Sequence, residues 1–198
     1  MKEFKVLINN LYKKYIKRLI DIMISGIAII LLLPILFFTA CIIRLDSKGS
    51  IIFKQLRIGL NGKAFYIYKF RTMVQNADKV GPKSTLSNDF RITPIGRKLR
   101  AFSIDELPQL VNVLKGDMSI VGFRPGVRED YDSEYLTSKV FTVKPGITGY
   151  AQVNGRSSLT VEEKKIWENK YVEDISFLTD FRILIKTITQ VIMKKNTN

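Results

Sequence analysis

The chain has 198 residues, 32 Lys plus Arg against 18 Asp plus Glu, a formal charge of +14, one Cys and no His. One thiol excludes an internal disulfide framework and any multi-thiolate metal site, and the missing imidazole excludes Ser-His-Asp triads, His-ligated zinc or haem, and a His general base. Catalysis must therefore use carboxylates, hydroxyls, amines or an oxygen-held metal, and the basic balance predicts an anionic partner.

Residues 1–18 carry Lys2, Lys5, Lys13, Lys14, Lys17 and Arg18 against Glu3, a net of +5, and residues 182–198 carry a net of +4 without an acid. Most of the excess charge thus sits in two flanks, which suits a membrane surface better than a nucleic-acid recognition element. Between Asp21 and Arg44 run 22 uncharged residues, Ile22 to Ile43. As a helix they extend roughly 33 Å, enough to cross a hydrocarbon core. The run is too long for a signal-peptide core and too apolar all round for a small soluble domain. Pro34 near its middle favours a kink or break, and basic residues flank both ends. A re-entrant helix and a kinked span both satisfy these signals.

Ser50–Ile58 and Ala64–Phe70 have strand composition, with Asn61-Gly62 between them as a hairpin turn. The two-residue period aims Lys69 and Arg71 in one direction, which on spacing alone describes a solvated strand end. Asn76–Asp89 is polar and loop-like. Thr93-Pro94 has the form of an N-cap with Pro at the first helical position, opening a helix to about Arg100 with Arg91, Arg97 and Lys98 nearby.

The next helix is predicted over Ser103–Leu114, where Leu107, Leu110, Val111 and Leu114 keep helical spacing and Lys115-Gly116 closes it. Pro108 places its start just upstream, with Ser103 or Asp105 as the cap and Glu106 in the first turn. Acids at a helix start are ordinary stabilisers. The functional alternative is that Asp105 and Glu106, beside a basic helix, hold a divalent cation and attack phosphorus.

Lys144-Pro145-Gly146 and Pro125-Gly126 suggest type II turns whose N–H groups suit phosphate. Asp130-Tyr131-Asp132 resembles the aspartate pair of metal-dependent glycosyltransferases, but follows polar residues and suits a solvated helix face. Residues 160–170 and 175–193 are helical in character. In the second, Ile183, Leu184, Ile188, Val191 and Ile192 make an apolar stripe for either a bilayer interface or the core.

Four segments occur in order: Tyr68-Lys69-Phe70-Arg71-Thr72-Met73, Asp105-Glu106-Leu107-Pro108-Gln109-Leu110, Asn112-Val113-Leu114-Lys115-Gly116-Asp117-Met118-Ser119, and Pro145-Gly146-Ile147-Thr148-Gly149-Tyr150-Ala151-Gln152-Val153-Asn154-Gly155-Arg156. Together they make the chain resemble the bacterial sugar transferases, small monotopic polyprenyl-phosphate phosphoglycosyl transferases, over nearly its whole length. The resemblance implies an α+β fold. A basic N-terminus and re-entrant membrane helix would occupy 1–48. A catalytic domain over 49–198 would carry a short β-hairpin and several helices, some amphipathic and interfacial, and would face the cytoplasm at the bacterial inner membrane.

The implied reaction is Mg²⁺-dependent transfer of a sugar-1-phosphate from a UDP-sugar to polyprenyl phosphate, releasing UMP. Asp105 is then the nucleophile with Glu106 its partner, both available to the metal, while Lys69, Arg100, Arg124 and Arg156 contact phosphate. Anionic membrane lipids, a homodimer and downstream glycosyltransferases of the pathway are the further partners, and nucleic acid is not. Two departures from the usual family pattern are Leu33-Pro34, where many relatives have Ser-Pro, and Phe123-Arg124-Pro125 in place of Pro-Arg-Pro. A carboxylate with an ordinary pKa of about 4 is ionised at neutral pH and needs no base. Competing readings are a metal-dependent glycosyltransferase using Asp130 and Asp132, which releases UDP, and a basic membrane-tethered adaptor without activity.

Overall fold

A computed structural model describes residues 9–77, 80–81, 89–155 and 158–193. The fold is α+β: a long N-terminal apolar helix lies along a domain of short helices that holds a two-stranded hairpin and a second, smaller strand pair. Helix α1 (Lys17–Asp46) follows a wider π-type turn over Tyr12–Ile16 and continues through Pro34 without a break in its helical assignment. Its 30 residues make about 45 Å of helix. Asp21, Ser25, Ala28, Ile29, Leu32, Leu36, Ala40 and Ile43 recur at helical spacing and pack on the domain. The opposite side leaves Ile30, Leu31, Leu33, Phe37, Phe38 and Leu45 exposed.

Both ends of α1 are fastened to that domain. Near its start Arg18 donates to the Val113 and Leu114 carbonyls, and Asp21 accepts from the Ser119 hydroxyl and the Ile120 N–H. Near its end Arg71 donates to the carbonyls of Ile43, Ser47 and Lys48, which fastens the helix C-terminus and the residues after it to the end of β2.

Strands β1 (Ile52–Ile58) and β2 (Ala64–Phe70) pair antiparallel, Ile52 opposite Phe70 and Ile58 opposite Ala64. Asn61 and Gly62 supply the left-handed turn, at φ 55° and 71°. Strand β2 contributes to two cores, while Phe53, Leu56 and Tyr66 stay exposed. Ile67 enters the main core with Leu110, Val113, Met118 and Tyr171, while Phe70 packs with Ile43 and Leu99 under the end of α1.

Helix α2 (Pro94–Ala101) begins as expected, with the Thr93 hydroxyl accepting from Gly96 N–H at 2.9 Å. Gly96 is required there because a Cβ would lie 2.1 Å from the Thr72 carbonyl oxygen. Helix α3 (Gln109–Lys115) ends at Gly116 in the left-handed conformation. Asn112, fully buried, stitches α3 to β2: its Oδ1 accepts from Tyr68 N–H and its Nδ2 donates to the Tyr66 carbonyl.

Strands β3 (Ser119–Val121) and β4 (Gly146–Thr148) pair in parallel, an element the sequence reading did not contain. The turn expected at Pro145-Gly146 is therefore a strand start. Gly146 suits it because any Cβ would meet Gly122 N at 2.0 Å. Its N–H is spent on the Phe123 carbonyl, and that of Gly126 on the Tyr131 hydroxyl, so neither is left for phosphate. Among the described residues four further α-helices follow: α4 (Ser133–Leu136), α5 (Tyr150–Asn154), α6 (Val161–Asp174) and α7 (Phe177–Ile192). On α7 the expected apolar stripe divides, with Ile183 buried in the core and Ile188 and Ile192 exposed beside Phe177, Leu178, Phe181 and Ile185.

Candidate active site

Asp105 and Glu106 lie in a 3₁₀ turn, Ile104–Glu106, between α2 and α3. Neither Ser103 nor Asp105 caps a helix, contrary to the sequence expectation. Ser103 takes a left-handed φ of 56°, and no side-chain cap bond forms there or at Pro108. Backbone carbonyls serve the N–H groups instead: Glu106 to Ser103, Leu107 to Ile104, Leu110 to Leu107 and Val111 to Pro108. The tight turn uses i to i+3 bonds, and neither acid side chain accepts from its N–H groups.

The two carboxylates have different surroundings. Glu106 Oε1 accepts from Lys69 Nζ at 2.7 Å, from β2, and from Arg124 Nη2 at 2.9 Å, from the loop after β3. Burial pushes Glu106 up, but the charges and hydrogen bonds of Arg124 and Lys69 outweigh it and hold it well below the usual range. Asp105 is 8 % exposed and has no hydrogen bond or ion pair among the described residues. Burial, then the neighbouring Glu106 charge, push Asp105 above its ordinary value, opposed by Lys69, Arg100 and Arg124. The ordinary pKa expected from sequence is thus corrected: Asp105 is a more basic carboxylate, and basicity strengthens a nucleophile.

Lys69, Arg100 and Arg124 converge on the acid pair from three elements. Lys69 is lowered by burial against the pull of Glu106, and Arg124 is raised by Glu106. Arg100, on α2, donates Nε to the Thr72 hydroxyl at 2.8 Å and is lowered by burial while Asp105 draws it up. Arg156 lies outside the described residues. The loop carrying Arg124 is held from behind by Glu168 on α6, whose Oε1 accepts from the Arg124 backbone N–H and whose Oε2 accepts from Tyr135. Burial raises Glu168 to about 7.

Sequence reasoning missed Glu168 because an acid in a polar helix looks solvated. It missed Arg57 for a comparable reason, counting it only among the charges flanking the membrane segment. Arg57, on β1, lines a small open recess of about 20 Å³ with Ile67, Lys69, Gln109, Arg124, Pro125 and Gly146.

Asp130 and Asp132 serve backbone geometry. Asp130 Oδ2 accepts from Val127 N–H, while Asp132 caps α4 through Tyr135 N–H and pairs with Lys165. They are local caps, a sharper role than the solvated face expected. Among the described residues no group of three or more Asp, Glu, Cys or His gathers to hold a metal. The donor set nevertheless fits Mg²⁺, which takes one or two carboxylates and completes its shell with water and substrate phosphate. Asp105 and Glu106 Oε2 have no bonded partner among the described residues that would block this.

The family model described as bacterial sugar transferase matches residues 12–194. An uncharacterized sugar transferase, EpsL, of Bacillus subtilis is 42 % identical over 91 % of this chain and 89 % of its own length. A UDP-N-acetylgalactosamine-undecaprenyl-phosphate N-acetylgalactosaminephosphotransferase of Aeromonas hydrophila is 38 % identical over 90 % of this chain and 44 % of itself. A UDP-glucose:undecaprenyl-phosphate glucose-1-phosphate transferase of Escherichia coli K12 is 38 % identical over 92 % of this chain and 41 % of itself. The chain thus spans less than half of the two relatives whose names state a reaction.

Proposed function

This chain belongs to the bacterial sugar transferase family, and we propose that it moves a sugar-1-phosphate from a UDP-sugar to polyprenyl phosphate and releases UMP. The observation that carries the reading is the contrast within the acid pair. Glu106 is neutralised by Lys69 and Arg124, while Asp105 is buried, basic and without a partner among the described residues. Relatives with 38 % identity are named as transferases acting on undecaprenyl phosphate.

An Asp105 carboxylate oxygen attacks the phosphorus that bears the sugar. The bond from that phosphorus to the bridging oxygen breaks, and UMP leaves with the electron pair. Asp105 then carries the sugar-phosphate as an acyl phosphate. A phosphate oxygen of the polyprenyl acceptor attacks the same phosphorus, restores the Asp105 carboxylate and gives the polyprenyl diphosphate sugar. Both nucleophiles are anions, so no general base is required. Lys69, Arg100 and Arg124 offset the repulsion between nucleophile and diphosphate and the charge that moves onto the leaving oxygen. Bound Mg²⁺, held by Asp105 and Glu106, would supply further charge neutralisation at the phosphates. Through Glu106, the Lys69 and Arg124 side chains are fixed before substrate arrives, which reduces reorganisation during the reaction.

The acceptor's long hydrocarbon calls for a site at a membrane. Both ends of α1 are tied to one domain, while its other side and one side of α7 expose Phe, Leu and Ile. That arrangement supports a helix held at the cytoplasmic side of the inner membrane, with α7 at the interface and a catalytic domain over 49–198; re-entry requires α1 to bend at Pro34 within its continuous helix. The test is turnover with a panel of UDP-sugars, polyprenyl phosphate and Mg²⁺. UMP as the nucleotide product is expected with at least one sugar. Release of UDP would overturn the reading in favour of ordinary glycosyl transfer.

A further inference from the structure

We propose that Arg57, together with Gln109, forms a phosphate subsite in the cavity beside Lys69 and Arg124. The inference deepens the transferase reading and rests on it for the identity of the phosphate.

Arg57 is an anomaly without a ligand. Its side chain is 21 % exposed, yet no carboxylate engages it closely, and Asp130 is 4.0 Å away with its nearer oxygen already accepting from Val127. Two donors of the guanidinium are used on neutral oxygens, Gln55 Oε1 at 2.6 Å and the Pro125 carbonyl at 3.3 Å. Its Nε is buried with no hydrogen-bond partner. Burial and the like charge of Arg124 both lower Arg57. A cation largely removed from water, set against another cation and bonded only to neutral groups, is costly unless an anion completes it.

Gln109 gives an independent indication. The residue is 2 % exposed, its amide has no hydrogen bond among the described residues, and the amide atoms are not fully sealed in the core, so they remain open to the recess. It lines the same cavity as Arg57, Lys69 and Arg124. Among the described residues no acid lines that cavity; Glu106 meets the Lys69 and Arg124 head groups. A purely structural role for Arg57, fastening the loop through Pro125, leaves the unpartnered Gln109 and the cavity unexplained. The recess has room for about one water-sized group, so a phosphate seated at its open mouth with one oxygen inside answers both. The guanidinium fork matches two phosphate oxygens, and a neutral amide adds a donor without more charge.

The reaction offers two sources of such a phosphate: the donor's diphosphate, which has one phosphorus that is not attacked, and the acceptor's phosphate ester. They separate kinetically because the half-reaction with donor needs no acceptor. The full chain in lipid nanodiscs is compared with Arg57→Met, which keeps the aliphatic stem, and with Arg57→Lys. Inhibition by inorganic pyrophosphate, the KM for each substrate and the single-turnover UMP burst without lipid are measured.

Arg57→Met is expected to weaken pyrophosphate inhibition by about 10- to 100-fold, the range for losing a charge-assisted hydrogen bond, with partial rescue in Arg57→Lys. A raised KM for UDP-sugar with a slowed burst assigns the subsite to the donor. A raised KM for polyprenyl phosphate with an unchanged burst assigns it to the acceptor. Unchanged pyrophosphate inhibition and unchanged KM values in a folded Arg57→Met overturn the subsite even where wild-type UMP release upholds the transferase. If wild type releases no UMP, the transferase reading fails, and pyrophosphate binding measured by calorimetry still decides the subsite. Should Arg57→Met lose its cooperative melt, Gln109→Leu takes its place, with weaker pyrophosphate binding expected and no change overturning the proposal.

Discussion

Asp180 and Asp105 are aspartates of nearly equal burial, 5 % and 8 % exposed, and the chain treats them in opposite ways. Asp180, on α7, takes three donors: Tyr12 hydroxyl at 2.7 Å, Lys17 Nζ at 2.5 Å and Tyr171 hydroxyl at 2.8 Å. They come from the approach to α1, from α1 itself and from α6, so one carboxylate joins three helical segments. Asp105 takes none among the described residues. A saturated buried acid contributes to architecture, whereas an unsaturated one stores unfavourable desolvation that a substrate or metal can relieve. Neither composition nor burial separates them. The donor list does.

The largest separation is expected from Asp105→Asn. It should lower UMP release about a thousandfold or more, the scale of losing a nucleophile. Its effect on stability has the other sign. A folded pKa raised above the unfolded value means the unfolded chain ionises first, so stability falls as pH rises between the two and the cost persists above them. In metal-free buffer at pH 7.5 the variant should melt at or above the wild-type temperature, and the difference should vanish below the ordinary carboxylate range.

Asp180→Ala should do the reverse. Leaving Lys17 and the Tyr12 hydroxyl unpaired, with Tyr171 keeping only the Val121 carbonyl, costs about 3–5 kcal/mol in denaturant unfolding, while burst amplitude per folded molecule stays at the wild-type value. Equal activity loss in the two variants would erase the distinction.

Glu168 sharpens the comparison because it is intermediate, with two donors and a pKa of about 7 against an ordinary 4.5. Wild-type stability should decline as pH rises from about 4.5 through 7. Glu168→Gln should remove that decline and be more stable at pH 8 by about 1–3 kcal/mol. Since Glu168 holds the Arg124 backbone, the same variant should raise the KM for UDP-sugar several-fold. The smallest effect belongs to the outer face of α7: Ile188→Glu should leave the melt unchanged and raise hydrogen exchange across α7 in nanodiscs, while α1 keeps the protein in the membrane.

What was legible in the sequence was local chemistry. Asn61-Gly62 dictated a left-handed turn, Thr93-Pro94 a capped helix start, and Lys115-Gly116 a helix end, and each stands where its residues required. The long apolar helix was visible from composition, although its unbroken helical assignment through Pro34 was not. The four ordered motifs exposed the family. The strand pair β3 and β4 was hidden because three-residue strands have no period to detect. Asp105 resembled a cap because capping and catalysis favour the same residues at the same place, and only the backbone bonds of the turn decide between them. Lys69 looked solvated because its partner Glu106 lies 37 residues away. Asp180 escaped notice within an apolar helix, since its partners Tyr12 and Lys17 lie more than 160 residues upstream.

The central claim is that the unpartnered aspartate is the one that reacts. Its most direct measurement is the intact mass of the protein after a single turnover with UDP-sugar and Mg²⁺ and without lipid acceptor, followed by peptide mapping. One sugar-phosphate per chain, located on Asp105 and discharged by polyprenyl phosphate, is the expected result. An adduct on Glu106 or any other residue, or stoichiometric UMP release with no adduct formed, would contradict it.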